Sequence, residues 1–246
     1  MKQILLFGIP IQNVTMEQAV AQIQAGLRSH ACDTIIFVNA HCVNVAHRDA
    51  EYQKILLENS YNYADGVGMQ IAAQLFGTPL VDNVNGTDLF PRLCPELEKI
   101  QARIFLLGGA PGVAEILQER MEERYAGIRI TGTHHGYFSP DEQEQIIKNI
   151  RASGAELLLV AMGVPLQEKW IAAWGEQTGV RVAMAVGGLF NFYSGRIPRA
   201  PKWMRRLGLE WLHRMFQEPR RLWKRYLIGN ILFLYITIRW KFYLWK

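Results

Sequence analysis

Ile104-Phe105-Leu106-Leu107-Gly108-Gly109-Ala110-Pro111-Gly112 is the stretch from which the architecture can be worked out. Its four apolar residues do not alternate with polar ones, so they read as a strand buried on both faces. The glycines turn the chain, and a helix is expected from there to about Tyr125. The same unit recurs on either side. Upstream, Ile4–Ile9 reads as a strand, and Thr15-Met16-Glu17-Gln18 is a capping box that opens a helix to about Arg28. Thr34–Val38 is a strand ending at Asn39, followed by helical stretches through Val43, Val45 and Ala46 and from Ala50 to Leu57. Tyr61–Ala64 is short and extended. Asp65-Gly66-Val67-Gly68 turns it into a helix at Met69–Phe76, and Asn85-Gly86-Thr87-Asp88 opens another, with Thr87 or a neighbour as cap. Downstream, Ile128–Thr133, Glu156–Ala161 and Val180–Val186 read as strands. Ser139-Pro140-Asp141-Glu142 starts a helix with its cap, a proline and early acids, and Pro165–Trp174 forms the next. Apolar strands alternating with helices imply an α/β fold: a mostly parallel, Rossmann-like sheet with helices on both faces.

After Gly195 the composition changes. The chain of 246 residues has 27 Lys+Arg and 22 Asp+Glu; Arg196–Lys246 holds 13 and 2 of these, leaving 14 and 20 before it. An acidic body, residues 1–195, is thus expected to carry a basic, aromatic helical appendage, residues 196–246. Such charge suits a nucleic acid, an anionic membrane surface or a phosphate-bearing substrate. Met204, Leu207, Trp211, Leu212 and Met215 recur at helical spacing, predicting one amphipathic helix, and Pro219 restarts a helix. Leu227–Ile238, interrupted by Gly229-Asn230, is shorter than the ~20 apolar residues of a membrane span. Trp240, Phe242, Tyr243 and Trp245, interleaved with Arg239, Lys241 and Lys246, suit a helix lying in a membrane interface. The apolar run at Ile4–Gly8 is too short for the core of a signal peptide. Cys32, Cys42 and Cys94 match no metal spacing and read as reduced, mostly buried thiols of a cytosolic protein.

Ligands of such a sheet bind beyond the carboxyl ends of its strands. Those ends are Asn39, Asp65-Gly66-Val67-Gly68, Gly108-Gly109, Gly136-Tyr137-Phe138, Met162-Gly163-Val164-Pro165 and Gly187-Gly188. Glycines there either simply turn the chain or let a ligand approach the backbone and the following helix N-terminus. Asp65 is either a helix cap or a carboxylate with a raised pKa fit for general-base work. Gln167 and Glu168 are either structural caps or, for Gln167, a partner for a sugar or acceptor. His41, His47, His134 and His135 make no metal pattern, no Asp-x-Asp pair is present to hold a metal on a diphosphate, and no cofactor is expected. The G-x-G-x-x-G and P-loop spacings are both missing.

The ordered phrases Asn39-Ala40, Ala64-Asp65-Gly66-Val67-Gly68, Gly86-Thr87-Asp88-Leu89, Phe105-Leu106-Leu107-Gly108-Gly109, Gly136-Tyr137-Phe138 and Gly163-Val164-Pro165-Leu166-Gln167-Glu168 lead to Arg199-Ala200-Pro201, Leu209-Glu210-Trp211 and Glu218-Pro219-Arg220-Arg221. Along nearly its whole length the chain resembles the WecB/TagA/CpsF glycosyltransferases, glycosyltransferase family 26. The resemblance implies the GT-E fold and an inverting, metal-independent enzyme. Such an enzyme moves a sugar from a UDP donor to a polyprenyl-diphosphate-linked saccharide for a surface polysaccharide, working peripherally at the cytoplasmic membrane face. It implies Asp65 as base with Gln167 in the active site, and Arg214 and Arg221 reaching the acceptor diphosphate; Asn39, at its strand end, joins the catalytic candidates, and Lys224 of the basic tail joins the diphosphate candidates. Gly108, Gly109, Tyr137, Gly163, Gly187 and Asn191 become the donor-binding candidates. Three positions depart from what many members carry: Phe37 stands for threonine, Asn83 for arginine, and Asn191 for the aspartate of Phe-Asp-Phe. The donor sugar is therefore left open, as is a homo-oligomeric state.

Two readings compete. A nucleic-acid-binding module would use Arg and Trp of the tail to neutralise phosphates and stack bases, but the body is acidic and the end of the tail is apolar. A dinucleotide oxidoreductase would need the glycine spacing that fails here.

Overall fold

The computed structural model describes residues 2–244; Trp245 and Lys246 of the expected interfacial segment lie outside the described residues. The chain opens with β1 (Gln3–Leu6) and β2 (Ile9–Gln12), which pair antiparallel as a separate hairpin. The expected single strand Ile4–Ile9 is therefore corrected. Phe7 and Gly8, with φ of 56° and 75°, both adopt the left-handed backbone of a two-residue hairpin turn. The bulky Phe7 tolerates this because its ring is held against Phe76, Phe233 and Trp240, with ring centroids 5.1, 5.5 and 6.3 Å away.

The body then runs α1 (Met16–Gly26), β3 (Asp33–Val38), α2 (Ala40–Ala46), α3 (Ala50–Glu58), β4 (Tyr61–Ala64), α4 (Val67–Leu75) and α5 (Gly86–Lys99). It continues through β5 (Arg103–Gly108), α6 (Val113–Arg124), β6 (Arg129–His134), α7 (Gln143–Ser153), β7 (Leu157–Ala161), α8 (Leu166–Trp174), β8 (Val182–Ala185) and α9 (Leu189–Tyr193). The capping box at Thr15 is formed, and Asn85 rather than Thr87 caps α5. β3 to β8 form one six-stranded, all-parallel sheet in the order β4-β3-β8-β7-β5-β6.

Period-two geometry splits the apolar strands between two cores. Ile35, Phe37, Ile104, Leu106, Leu157 and Leu159 face the layer of α1, α5, α6 and α9. Ile36, Val38, Phe105, Leu107, Leu158 and Val160 face the layer holding the hairpin and α2, α3, α4, α7 and α8. α2 leaves β3 for the second layer, whereas α9 leaves β8 for the first. β3 and β8 are neighbours, so the sheet's switch point lies between them, where a crevice opens beyond the strand ends.

Beyond Gly195 come α10 (Lys202–Arg206), α11 (Glu210–Gln217), α12 (Pro219–Trp223), a π-helical turn at Lys224–Ile228, and α13 (Gly229–Leu244). The helix expected through Met204 and Met215 is broken at Gly208, whose φ of 69° ends α10. The restart at Pro219 is present. Phe233 and Ile236 of α13 are buried in the second core, and Asn44 of α2 donates to the Gly229 carbonyl at 2.7 Å. Each such buried apolar side chain is worth about 1.5–3 kcal/mol. On the other core's side, Arg199 bridges Asp88 of α5 at 2.7 Å and Glu210 of α11 at 3.4 Å. The basic segment is thus fastened to the body at two places.

Candidate active site

A cavity of about 430 Å³ lies beyond the carboxyl ends of β3 and β4. Its base comes from the body: Asn39, His41, Asp65, Asn83, Asn85 and Asp88. Its cover comes from the basic segment: Arg205, Glu210, Trp211, Arg214, Arg225 and Tyr226. Neither part encloses the space alone.

Asp65 follows β4 and is half-buried. It does not cap α4; Gly66 occupies that position with φ of 92° and no side-chain cap bond. Asn39 instead donates its amide N–H to Asp65 Oδ2 at 3.3 Å. The Asn39 Oδ1 accepts from the backbone N–H of His41 and Cys42, so capping α2 fixes the amide that aims at Asp65. Burial holds the Asp65 carboxyl above the usual carboxylate range. Glu210 pushes the same way, while the Asn39 bond and the charges of Arg214 and Arg225 oppose it. His41 is pulled down to about 4 by burial and by Arg225, so its ring is neutral near pH 7. Asn83 accepts the Gly66 N–H at 2.7 Å and sets the loop that carries Asp65. Gly66, Val67 and Gly68 at the start of α4 line the same space, and this helix end has no side-chain cap.

The arginines of the basic segment sort into two kinds. Arg199 and Arg205 are paired with Asp88, and Arg221 with Glu218. Arg221 does not line the cavity, and neither does Lys224, which lies over the Trp223 ring. Arg214 and Arg225 line it, and among the described residues neither is in an ion pair; the Nε of each is buried without a hydrogen-bond partner. Arg214 stacks over the Phe192 ring, 4.8 Å from its centroid. It enters the crevice at the switch point beside Gly188: a Cβ added there would stand 2.5 Å from its guanidinium. Sequence reading missed Arg225. The available signal was its spacing, four residues after Arg221, but the breaks at Gly208 and Pro219 and the π turn itself prevent helical phase from being carried along the segment.

The cavity brings together Asn39, Asp65 and Arg214 of the expected site residues; Arg221 and Lys224 stay outside it in the basic segment, and the remaining candidates follow β5, β6, β7 and β8. Gln167 is buried, not open to a ligand in the cavity. Its Oε1 accepts from the Gly163 and Gly187 N–H groups at 3.1 and 3.0 Å, and its Nε2 donates to Glu168 at 2.7 Å. It pins two strand-end loops together. Gly108 is needed for packing, since a Cβ would stand 2.5 Å from the Ala161 carbonyl oxygen. Gly109 abuts Val113 and Phe190, whereas Gly163 has open space beside it. Tyr137 is 75 % exposed, and the Asn191 carbonyl accepts the Ile197 N–H. Phe37 is buried with its ring against Gly86. The cysteines are free thiols, Cys42 and Cys94 buried. Among the described residues no group of His, Cys, Asp or Glu could hold a metal ion, and no helix is long and apolar enough to cross a membrane.

A carboxylate with a raised pKa, aimed by an amide and faced by unpaired cations, is suited to deprotonating a hydroxyl beside an anionic leaving or linking group. The family model for the glycosyl transferase WecG/TagA/CpsF family matches residues 4–246, which is nearly the whole chain, and its chemistry is sugar transfer; the chain belongs to this family.

Proposed function

We propose that the protein transfers a sugar from a UDP-sugar, with inversion and without a metal, to a saccharide carried on a polyprenyl diphosphate. The observation that carries the reading is one cavity holding Asp65, Arg214 and Arg225 together. Asp65 takes the proton of an acceptor hydroxyl, and Asn39 keeps the receiving oxygen in place. The freed oxygen bonds to the anomeric carbon as the bond from that carbon to the UDP oxygen breaks, and the electron pair leaves with UDP. Cations and helix N–H groups take the place of a metal at the diphosphates. The donor lies along the rim of Gly109, Tyr137, Gly163, Gly187 and Asn191, and Gln167 holds the Gly163 and Gly187 loops in register.

The same reading puts the protein on the inner face of the plasma membrane, with α13 against the lipid. Supporting this, α13 buries Phe233 and Ile236 on one side, while Ile231, Tyr235, Ile238 and Phe242 are exposed on the other. A homo-oligomer is compatible with it, and nucleic acid is not a partner.

The test is a panel of UDP-sugars offered with a polyprenyl-diphosphate-linked acceptor, in EDTA, with UDP release and product mass as readouts. One donor should give stoichiometric transfer. No turnover with any member of the panel, or turnover only on adding a divalent ion, would refute the reading.

A further inference from the structure

The cavity has two ends of opposite character. Beyond the polar end, it runs between α4 and α13, where Ile71, Ala72, Leu75, Phe233 and Leu234 line it. Ala72 and Phe233 are buried and form the base of this arm, while Ile71, Leu75 and Leu234 are about half exposed at its rim. Thr237 also lines it, but its hydroxyl donates to the Phe233 carbonyl at 2.7 Å, so little polar surface is left. Gly68 lets the two helices meet, since a Cβ there would stand 3.3 Å from the Phe233 ring. At the far end Lys241 donates to the Leu75 carbonyl. The seven-residue step from Gly68 to Leu75 rises about 10 Å along α4. An apolar slot of that length, open to water, is costly unless something covers it. It joins without a break a chamber that holds two unpaired guanidinium groups.

We infer that the arm between α4 and α13 is a binding subsite for the hydrocarbon chain adjoining the diphosphate of a lipid-linked acceptor. The inference rests on the acceptor reading given above and deepens it: the enzyme grips the first part of the chain, besides the diphosphate and the sugar. The junction explains the order of groups. An anion held by Arg214 and Arg225 has the sugar end toward Asp65 and its other substituent toward Ile71 and Leu234. A water-soluble acceptor would leave the arm wetted, so the arm also selects for lipid-linked acceptors.

Calorimetric titration of the full chain with farnesyl diphosphate and with inorganic diphosphate tests this without turnover. Wild type should bind farnesyl diphosphate ~10-fold or more tightly than diphosphate, since each buried methylene strengthens binding several-fold. Ile71→Asn and Leu234→Asn, both at half-exposed positions and each checked for an unchanged melting temperature, should each bring that preference below ~3-fold and leave diphosphate affinity unchanged. Equal affinity of wild type for the two probes would overturn the subsite, as would a preference that survives both substitutions. If the substitutions lower only partition onto phosphatidylglycerol vesicles and the preference stays, the face is a membrane contact and the subsite is again overturned. Binding of neither probe would instead remove the diphosphate reading beneath it.

Discussion

Asp65 and Arg225 carry the sharpest expectations. Asp65→Asn keeps the shape and the Asn39 contact but removes the base, so transfer should fall ~100- to 10,000-fold while the melting temperature stays near wild type. The ionised form is the active one and burial raises its pKa, so turnover should be lost as pH falls through a value above the usual aspartate range. An acid limb at an ordinary carboxylate pKa would count against the assignment. Arg214→Ala and Arg225→Ala should each cost ~100- to 1000-fold in turnover. Arg221→Ala should cost little, because that guanidinium is occupied by Glu218 outside the cavity. Steady-state rates of the three variants separate the two kinds of arginine. Gly188→Ala is a quieter test. Its φ of −77° suits alanine, but the new methyl collides with the flexible end of Arg214. We expect unfolding free energy within about 1 kcal/mol of wild type, the usual scale for a tolerated substitution. The turnover defect should approach that of Arg214→Ala.

Helix α8 shows how an element can serve the site without touching it. Its first turn buries Gln167 and Glu168, and among the described residues Glu168 Oε2 has no hydrogen-bond partner. Burial pushes the Glu168 carboxyl from 4.5 up to about 7, against the bonds from Gln167 and backbone and the charge of Arg225. The sign follows: a raised pKa means the folded state holds the proton more tightly than the unfolded chain. Its contribution to stability is full below 4.5 and is lost as pH rises through about 7. That is up to about 3 kcal/mol of pH-dependent stability. Glu168→Gln should therefore flatten the fall in melting temperature across that window, read by calorimetry at several pH values; an unchanged profile would contradict it. The hairpin and the α10–α11 break are the elements that pattern reading mistook. Phe7-Gly8 lacks the Asn-Gly or Asp-Gly signature of a tight hairpin, and its left-handed phenylalanine is made tolerable by aromatic rings from distant parts of the chain.

At the level of the whole molecule, the basic segment is both the cover of the cavity and a surface. Its inward residues, Phe233 and Ile236, belong to the body's core, so deleting α13 would damage the fold along with any membrane contact. Ile231→Glu with Phe242→Glu changes only exposed positions. Flotation with phosphatidylglycerol vesicles should drop several-fold while the melting temperature holds, and binding that persists would assign the contact to another face. Family membership also chooses among the early readings: sugar transfer stands, and the dinucleotide oxidoreductase does not.

Order along the chain was sufficient for the α/β class, the strand ends and the candidates Asn39 and Asp65, because continuous apolar strands and glycine turns are local signals. The mostly parallel sheet followed from that pattern, since buried strands linked through helices have few other arrangements; that it is wholly parallel, with Gln3–Gln12 set apart as a hairpin, was decided by the tertiary structure. Charge asymmetry located the basic segment, but not its use. Which arginines remain unpaired depends on where Asp88, Glu210 and Glu218 fall in space, and those pairs span up to 117 positions. Long-range packing likewise separated Gln167, locked between two loops, from Asn39, aimed at the base. The cavity itself exists because residues 39–88 and 192–237 meet across the switch point, a contact that no local spacing encodes.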